Sequence, residues 1–309
     1  MPALLRARLP ARPLARLAAD RPVPAPVRPP TAAADQSAAS HEFPFDADDF
    51  ERVRRLIYQR AGIHLHAGKK AMVYSRLSRR LRALGETSFA GYLQNLEHAA
   101  AADGEQEWQE FINCLTTNLT SFFREEHHFP ILAEALRRHA GRSLRIWCNA
   151  ASTGEEPYSI AMTVAETLGS DCSVKILCSD IDTSVLERAA RGIYADDARG
   201  LDPSRLRRHF LRGRGANAGQ IRIKPAVQGL VEFRVHNLMD ERWSLGDPFD
   251  LVFCRNVMIY FDAATQRRVL QRMHAVMKPG ALLFGGHSEN FTRSRDLFRL
   301  RGKTVYERC

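Results

Sequence analysis

The segment SLRIWCNAASTGEEPYSIAM, residues 143–162, indicates the fold of most of the chain. It begins as a short apolar run typical of a buried strand, turns through small residues and continues as a helix from Glu155. Four similar apolar runs follow it, at residues 173–180, 230–237, 249–256 and 281–288. Helical segments alternate with these runs, at residues 155–168, 183–191 and 262–277. The alternation predicts an α/β domain with a doubly wound parallel sheet over residues 137–309.

Three other regions accompany this predicted sheet. Residues 195–229 contain the glycine-rich turn RGRGANAG followed by QIRIKP, which predicts a small antiparallel β subdomain inserted in the larger fold. Residues 43–136 have a helical pattern that predicts a small N-terminal domain with a linker at its end. Residues 1–42 carry eight prolines and many alanines, so we expect a disordered tail that buries no core.

Charge and cysteine content narrow the class of protein. The net charge is +10, and residues 1–42 contribute +3 of it (six arginines against three acidic residues), so the remainder is basic and favours acidic partners. No apolar run reaches the roughly 18 residues that a membrane helix needs, and we expect no membrane insertion. The six cysteines form no CxxC pair, which favours reduced thiols in a cytoplasmic protein over a zinc site.

Polar side chains stand where the predicted strands end, which is the edge where open parallel sheets bind ligands. These side chains are Glu155 and Glu156, Asp180, Asn237, and Arg255 with Asn256 and Tyr260. Two glutamates at a helix start complement the helix dipole but would bind a phosphate poorly. Asp180 is an acceptor for ribose hydroxyls or, alternatively, a helix cap. A site with acids and amides but no phosphate cradle suits S-adenosylmethionine, a nucleoside with a charged amino-acid tail.

Four motifs, TTNLTSFFRE, ASTGEEPYSIAM, SDIDTSVLERA and FCRNVMIYF, occur in this order along the chain. Together they resemble the CheR-type family, the chemotaxis receptor methyltransferases, and the resemblance runs from about Phe43 to the C-terminus. It implies a small helical domain, a Rossmann-like methyltransferase domain and an inserted β subdomain. It also implies that a methyl group passes from S-adenosylmethionine to glutamate side chains of chemoreceptors, without a metal. The products would be glutamate methyl esters and S-adenosylhomocysteine.

The resemblance further implies roles for individual residues. Arg124 would be the catalytic residue, because its guanidinium can orient an anionic acceptor from a lid segment, residues 116–124. Phe122 and Phe123 would anchor this segment by burial, at roughly 1.5–3 kcal/mol each. The cofactor contacts that the motifs imply are Asn118, Thr120, Arg124, Glu155, Asp180, Asn237, Leu238, Arg255, Asn256 and Tyr260.

Two surfaces are predicted to meet the receptor. One is the basic face of the helix at residues 69–84, formed by Arg76, Arg79, Arg80 and Arg82. A solvated face is the ordinary meaning of such a run, but acidic receptor methylation helices would give it a partner. The other is the loop at residues 212–223, in which three glycines reproduce the spacing of family members that bind a C-terminal receptor pentapeptide: Gly213, Gly215 and Gly219. An ordinary surface hairpin is the alternative for this loop.

Two rival functions remain open on the sequence alone. A nucleic-acid methyltransferase would suit the basic charge, but the Asn/Asp-Pro-Pro-aromatic motif is missing and Cys254 does not follow a proline, so we expect no nucleic-acid partner. A non-catalytic docking protein that binds the cofactor as a signal is the second rival. We expect a monomer that is recruited to membrane receptor arrays, and we interpret His127 and His128 as structural or exposed residues, not metal ligands.

Overall fold

The computed structural model describes residues 42–98, 101–169 and 172–309, with side chains omitted for residues 101–103. The tail predicted for residues 1–42 therefore lies outside the described residues, apart from Glu42. Within the described ranges every helix is too short or too polar to span a bilayer. The six cysteines are all free thiols, and Cys148, Cys178 and Cys254 are buried in strands.

Four helices form a first hydrophobic core near the N-terminus. They are α1 (Ala47–Ala61), α2 (Lys70–Leu84), α3 (Phe89–His98) and α4 (Ala101–Leu115). Helix α1 begins with a reciprocal capping box between Asp46 and Asp49 and ends at Gly62, whose left-handed backbone (φ 70°) stops the helix. Their buried faces share one apolar cluster, whose fully enclosed members include Val53, Ile57, Leu77, Phe89 and Phe111.

A fifth helix, α5 (His128–Arg138), belongs to a different core. Leu132 and Leu136 on its inner face pack in the same cluster as strand residues and α6 (Glu155–Leu168). The preceding segment contributes Phe122 and Phe123, which are buried as predicted, at 1% and 8% exposure. In the structure the two cores therefore divide near Leu115, whereas the sequence places residues up to 136 in the helical domain.

The central sheet has seven strands, and its carboxyl ends face one cavity. The strands are β1 (Leu144–Asn149), β2 (Val174–Asp180), β6 (Val231–Val235), β7 (Phe249–Cys254), β8 (Met277–Gly285), β9 (Phe298–Gly302) and β10 (Val305–Arg308). Their spatial order is β6-β2-β1-β7-β8-β10-β9. The first five in that order run parallel, and β10 pairs antiparallel with both its neighbours. Helices α7 (Thr183–Arg191) and α10 (Ala263–Val276) complete the crossovers, so the predicted fold class is confirmed.

The predicted β subdomain is also confirmed as a separate three-stranded antiparallel sheet in the order β3-β5-β4. Its strands are β3 (Ile193–Ala195), β4 (Phe210–Arg212) and β5 (Gln220–Ile223). Two short helices that the sequence analysis did not predict accompany them, α8 (Pro203–His209) and α9 (Pro225–Gln228). A Cβ atom at Gly200 would lie 1.8 Å from the carbonyl oxygen of Phe122, so only glycine permits the insert to contact the lid segment this closely.

The four arginines of the basic face of α2 have different surroundings. Arg76 donates to the carbonyl oxygen of Thr116 at 2.5 Å, and Arg80 forms a half-buried ion pair with Glu107. These two side chains therefore hold the helical domain together. Arg82 is about half exposed and pairs with Glu42 at 2.9 Å, and Arg79 is exposed, so these two arginines point into solvent.

Candidate active site

A cavity of about 340 Å³ lies beyond the carboxyl ends of the central strands. Asn149 at the end of β1, Asp180 at the end of β2 and Arg255 just after β7 line its wall. The strand order reverses between β1 and β7, which is the point where open α/β sheets bind ligands. The volume is within the range of small-molecule sites.

The cavity brings together most of the residues that the sequence predicts as cofactor contacts. Those on its wall are Asn118, Thr120, Arg124, Asp180, Asn237, Leu238, Arg255, Asn256 and Tyr260. Glu155 is not on the wall, and its carboxylate instead accepts a hydrogen bond from Thr153 Oγ1 at 2.6 Å. Glu156 faces the cavity in its place, because consecutive residues of a helix point about 100° apart.

The turn after β1 is built from left-handed backbone. Ala150, Ser152 and Gly154 all have positive φ angles, of 53°, 49° and 98°. A Cβ atom at Gly154 would lie 2.6 Å from the hydroxyl of Tyr194, so this position requires glycine. The turn exposes the backbone of small residues to the cavity, where a ligand can approach it closely.

Asp180 receives two backbone hydrogen bonds at the end of β2. Its Oδ2 accepts from the Ser152 N–H at 2.8 Å, and its Oδ1 accepts from the Asp182 N–H at 3.0 Å. Burial raises the pKa of Asp180 to about 6, although these hydrogen bonds oppose the rise. Each oxygen keeps a lone pair that can accept a ligand hydroxyl. The helix-cap role that the sequence left open belongs to Asp182, which caps α7.

The lid segment, residues 116–124, is held by hydrogen bonds near both of its ends. Thr116 Oγ1 and Asn118 Nδ2 both donate to the carboxylate of Asp182, at 2.6 and 2.8 Å. The Phe123 N–H donates to Ser159 Oγ at 2.9 Å. Near its end, Arg124 Nη1 donates to the carbonyl oxygen of Leu119 at 3.0 Å, so the guanidinium is held at the cavity wall by its own segment.

Arg255 is a buried ion-pair centre, although the sequence predicts it only as a cofactor contact. Its side chain is 1% exposed and lies 2.6 Å from Glu156 and 3.4 Å from Glu125. It also donates to the carbonyl oxygen of Arg124. Burial raises the pKa of Glu156 while Arg255 lowers it, and the 2.6 Å contact favours an ionic pair. Arg255 thus joins β7, the start of α6 and the lid segment.

Part of the cavity wall comes from the helical domain, and sequence reasoning missed it. His64, His66 and Lys69 line the cavity from the connection between α1 and α2, and Met72 lines it from the first turn of α2. The His64 N–H donates to the carbonyl oxygen of Tyr260 at 2.8 Å, which ties this connection to the turn after β7. The only sequence signal for this part of the wall was a run of histidine and lysine residues directly after Gly62, where α1 ends.

Asn237, which follows β6, also contacts the helical domain. Asn237 Nδ2 donates to the carbonyl oxygen of Arg60 at 2.7 Å, and its Oδ1 accepts from the Met239 N–H at 2.9 Å. The cavity is therefore enclosed by both cores. Asn237 is held on the cavity wall by these two hydrogen bonds.

His128, one of the two histidines beside the lid segment, is bonded within the fold. His128 is fully buried, donates from Nε2 to the Lys303 carbonyl oxygen at 2.9 Å, and has its pKa lowered by burial to about 4, so it is neutral at pH 7. Its ring lies near Glu125 and His127, close enough for the three to share an ion. The Arg255 guanidinium is only 3.4 Å from Glu125, however, and occupies the neighbourhood where a cation would have to bind.

The residues on this wall fit S-adenosylmethionine. Asp180 offers two acceptor oxygens to a ribose, and the buried turn after β1 places small residues beside it. The amide of Asn149 is 1% exposed and has no nitrogen or oxygen partner among the described residues, so it is available to a polar ligand tail. Arg124 adds a positive charge close to the same wall.

Two family models match the chain and together cover most of it. The CheR methyltransferase all-alpha domain matches residues 48–116, and the CheR methyltransferase SAM binding domain matches residues 118–307. The division between these matches coincides with the point where the two hydrophobic cores divide.

Several named relatives are similar to the chain over most of its length. A chemotaxis protein methyltransferase of Klebsiella aerogenes is 52% identical over 89% of this chain and 96% of its own length. One of Escherichia coli is 52% identical over 83% of this chain and 89% of its own. Chemotaxis protein methyltransferase 2 of Pseudomonas aeruginosa is 51% identical over 90% of this chain and 99% of its own. With both of its domains matched in order, the chain belongs to the CheR methyltransferase family.

Proposed function

We propose that this protein methylates chemoreceptors: it transfers a methyl group from S-adenosylmethionine to glutamate carboxylates, leaving glutamate methyl esters and S-adenosylhomocysteine. The methyltransferase activity and the cofactor follow from family membership. The observation that carries the assignment of individual residues is the single cavity in which the lid arginine, Arg124, and the strand-end carboxylate, Asp180, meet.

The roles of the cavity residues follow from their chemistry. Asp180 accepts hydrogen bonds from the ribose hydroxyls, and Asn118, Thr120, Asn237, Leu238, Asn256 and Tyr260 enclose the rest of the cofactor. Arg255 acts indirectly, as a positioning residue that holds Glu156 and the backbone of Arg124. Glu155 lies next to this set, and its carboxylate accepts a hydrogen bond from Thr153 Oγ1.

The chain's own contribution to the reaction is to orient the acceptor and to exclude water. When bound, S-adenosylmethionine supplies an electrophilic methyl group. A glutamate side chain is already ionised near neutral pH, so no general base is needed. Arg124 binds the incoming carboxylate by charge-assisted hydrogen bonds, and the Leu119 carbonyl fixes the guanidinium for this task. The buried thiol of Cys254, whose pKa burial raises well above its ordinary value, takes no part.

Turnover with radiolabelled cofactor and receptor-rich membranes tests the proposed function against its rivals. Base-labile label on receptor protein is expected from a glutamate methyltransferase. Label on nucleic acid would indicate the first rival, and cofactor binding without any transfer would indicate a non-catalytic docking protein.

Recruitment to the receptor is proposed to use two surfaces of a monomeric, cytoplasmic protein. The first is the solvent-facing pair Arg79 and Arg82 on α2, which suits an acidic methylation helix. The second is the inserted sheet, in which β4 is an edge strand with the half-exposed Leu211. An extended receptor C-terminal pentapeptide can pair with such an edge, and tethering would raise the local enzyme concentration at receptor arrays.

Light scattering of the purified chain checks the monomeric state.

Arg124→Ala is expected to reduce turnover roughly 100-fold, because the acceptor carboxylate loses its orienting group. Cofactor affinity should fall far less, since the ribose and adenine contacts remain. Steady-state methylation assays and calorimetry on the same preparation separate the two effects. Turnover within twofold of the unmodified chain would remove Arg124 from the catalytic role.

Asp180 predicts a pH dependence of cofactor binding. Its folded pKa of about 6 lies above the ordinary value, so protonation as pH falls through 6 removes the ribose acceptor, and affinity should drop about tenfold per pH unit below that. The same shift makes the free protein more stable as pH falls from 6 to 4, because the folded state binds the proton more tightly than the unfolded chain. Calorimetry from pH 5 to 8 measures the slope.

Asp180→Asn is the matched control for this pH dependence. It should weaken binding at pH 7.5 by roughly 1.5–3 kcal/mol, the usual cost of a charged hydrogen bond, and flatten the profile. An equally steep profile in Asp180→Asn would assign the titration to another group.

Charge reversal of Arg79 and Arg82 to glutamate should raise the KM for receptor severalfold at low ionic strength. The difference should shrink near 1 M salt, where the screening length is about 3 Å. Reversal of Arg137 and Arg299, which are exposed on other elements, controls for the change in net charge. If both pairs shift KM equally, α2 is merely a solvated basic face.

The glycine-rich loop is tested by titrating the C-terminal pentapeptide of a receptor from the same organism. A Cβ atom at Gly213 would lie 1.9 Å from the Asn217 carbonyl oxygen, and Gly215 (φ 58°) and Gly219 (φ 83°) have left-handed backbone, so the loop shape depends on glycine. Gly215→Val should weaken peptide binding severalfold without altering cofactor affinity. Absence of binding at millimolar peptide, or binding indifferent to Gly215→Val, would leave an ordinary surface hairpin.

A further inference from the structure

Two strongly exposed apolar side chains lie on the wall of the active-site cavity. Leu119 is 82% exposed and Ile259 is 52% exposed, and both line the cavity. Other exposed apolar side chains, such as Leu84, Leu211 and Leu300, lie elsewhere on the described surface. Single exposed leucines need no explanation, but a pair on the rim of one cavity does.

The exposure of Leu119 does not arise from a loose backbone. Before it, Asn118 is held by Asp182 through its side chain and by Ser152 Oγ at 3.3 Å through its carbonyl oxygen. At Leu119 itself, the carbonyl oxygen accepts the Arg124 guanidinium at 3.0 Å. The side chain is therefore fixed in a position where the surrounding protein leaves it uncovered.

Ile259 is held in a similar way by its neighbours. It lies in the 3-10 turn Met258–Tyr260, and Met258 before it is buried. Glu289 accepts hydrogen bonds from the Val257 and Met258 N–H groups at 2.9 and 2.8 Å, which fixes the turn. With its neighbour anchored inward, Ile259 is directed toward the cavity mouth and the solvent.

We propose that Leu119 and Ile259 form an apolar rim that binds the apolar side chains flanking the target glutamate on a receptor helix. This rests on the proposed function. The acceptor carboxylate must reach the cavity through this mouth, so the rim is continuous with the catalytic surface. Arg124, which orients that carboxylate, is bonded to the backbone of Leu119 itself.

The geometry indicates which residues of the partner would meet the rim. On a helix, side chains three or four positions apart lie about 5–6 Å from one another. When the target glutamate of a receptor helix binds Arg124, the receptor residue one helical turn away lies near Leu119. A uniformly acidic segment would desolvate charge against leucine, which is unfavourable, so the rim selects glutamates with apolar or small neighbours.

The test uses the soluble cytoplasmic fragment of a chemoreceptor that the unmodified chain methylates. Leu119→Ser and Ile259→Ser should each raise the KM for this fragment about fivefold to tenfold, a larger change than in kcat or in cofactor affinity. Leu300→Ser, at a half-exposed leucine on β9, should change none of these. Because the rim acts by apolar burial, the effect of Leu119→Ser should persist at high salt, unlike that of the arginine reversals.

A double-mutant cycle identifies the partner residues. In the receptor fragment, the apolar residues one turn from the target glutamate are replaced by serine. This replacement should raise the KM of the Leu119→Ser variant only a little further, since the contact is already lost. Additive effects would overturn the proposal. A loss of cofactor affinity in Leu119→Ser would make the residue a cofactor cover instead, and an effect seen only with membrane-embedded receptor would make it a lipid contact. If the unmodified chain transfers no methyl group, it is the proposed function that fails.

Discussion

The buried guanidinium of Arg255 is the interaction on which the geometry of the cavity depends. A charge this deeply buried costs several kcal/mol unless it is paired, and Glu125 and Glu156 provide the pairing. The same guanidinium bonds to the Arg124 carbonyl oxygen, between two residues with positive φ, Phe123 at 50° and Glu125 at 55°. Such backbone is unfavourable by itself and persists where its surroundings fix it. Arg255 thus holds the backbone of Arg124 in place.

The sheet could be predicted from the sequence because its strands are buried on both faces. Residues 144–149, 174–180 and 249–254 are largely apolar runs. The first two end in a polar residue at the ligand edge, Asn149 and Asp180, and the third is followed directly by Arg255. The side-chain roles at that edge were harder to predict. Glu155 and Glu156 are chemically identical, and only the rotation of α6 decides that the second faces the cavity. The presence of an arginine at position 255 does not reveal whether its side chain binds a ligand or a buried carboxylate.

Contacts between residues distant in sequence account for the other differences. The basic face of α2 has a helical spacing that predicts exposure, yet Arg80 pairs with Glu107 and Arg76 with the Thr116 carbonyl, 27 and 40 positions away. No local pattern contains these partners. The sequence did not predict His64 and His66 as cavity residues for the same reason. They reach the cavity only when the helical core packs against the turn after β7.

The enclosure of the cavity by two separate hydrophobic cores has a thermodynamic consequence. A ligand that contacts both the α1–α2 connection and the strand ends adds its binding free energy to the association of the cores. A bound ligand therefore raises the cooperativity of unfolding, because its contacts add to the hydrogen bonds that already join the cores, such as that from Asn237 to the Arg60 carbonyl oxygen. The small molecule then serves as a structural element of the fold as well as a reactant.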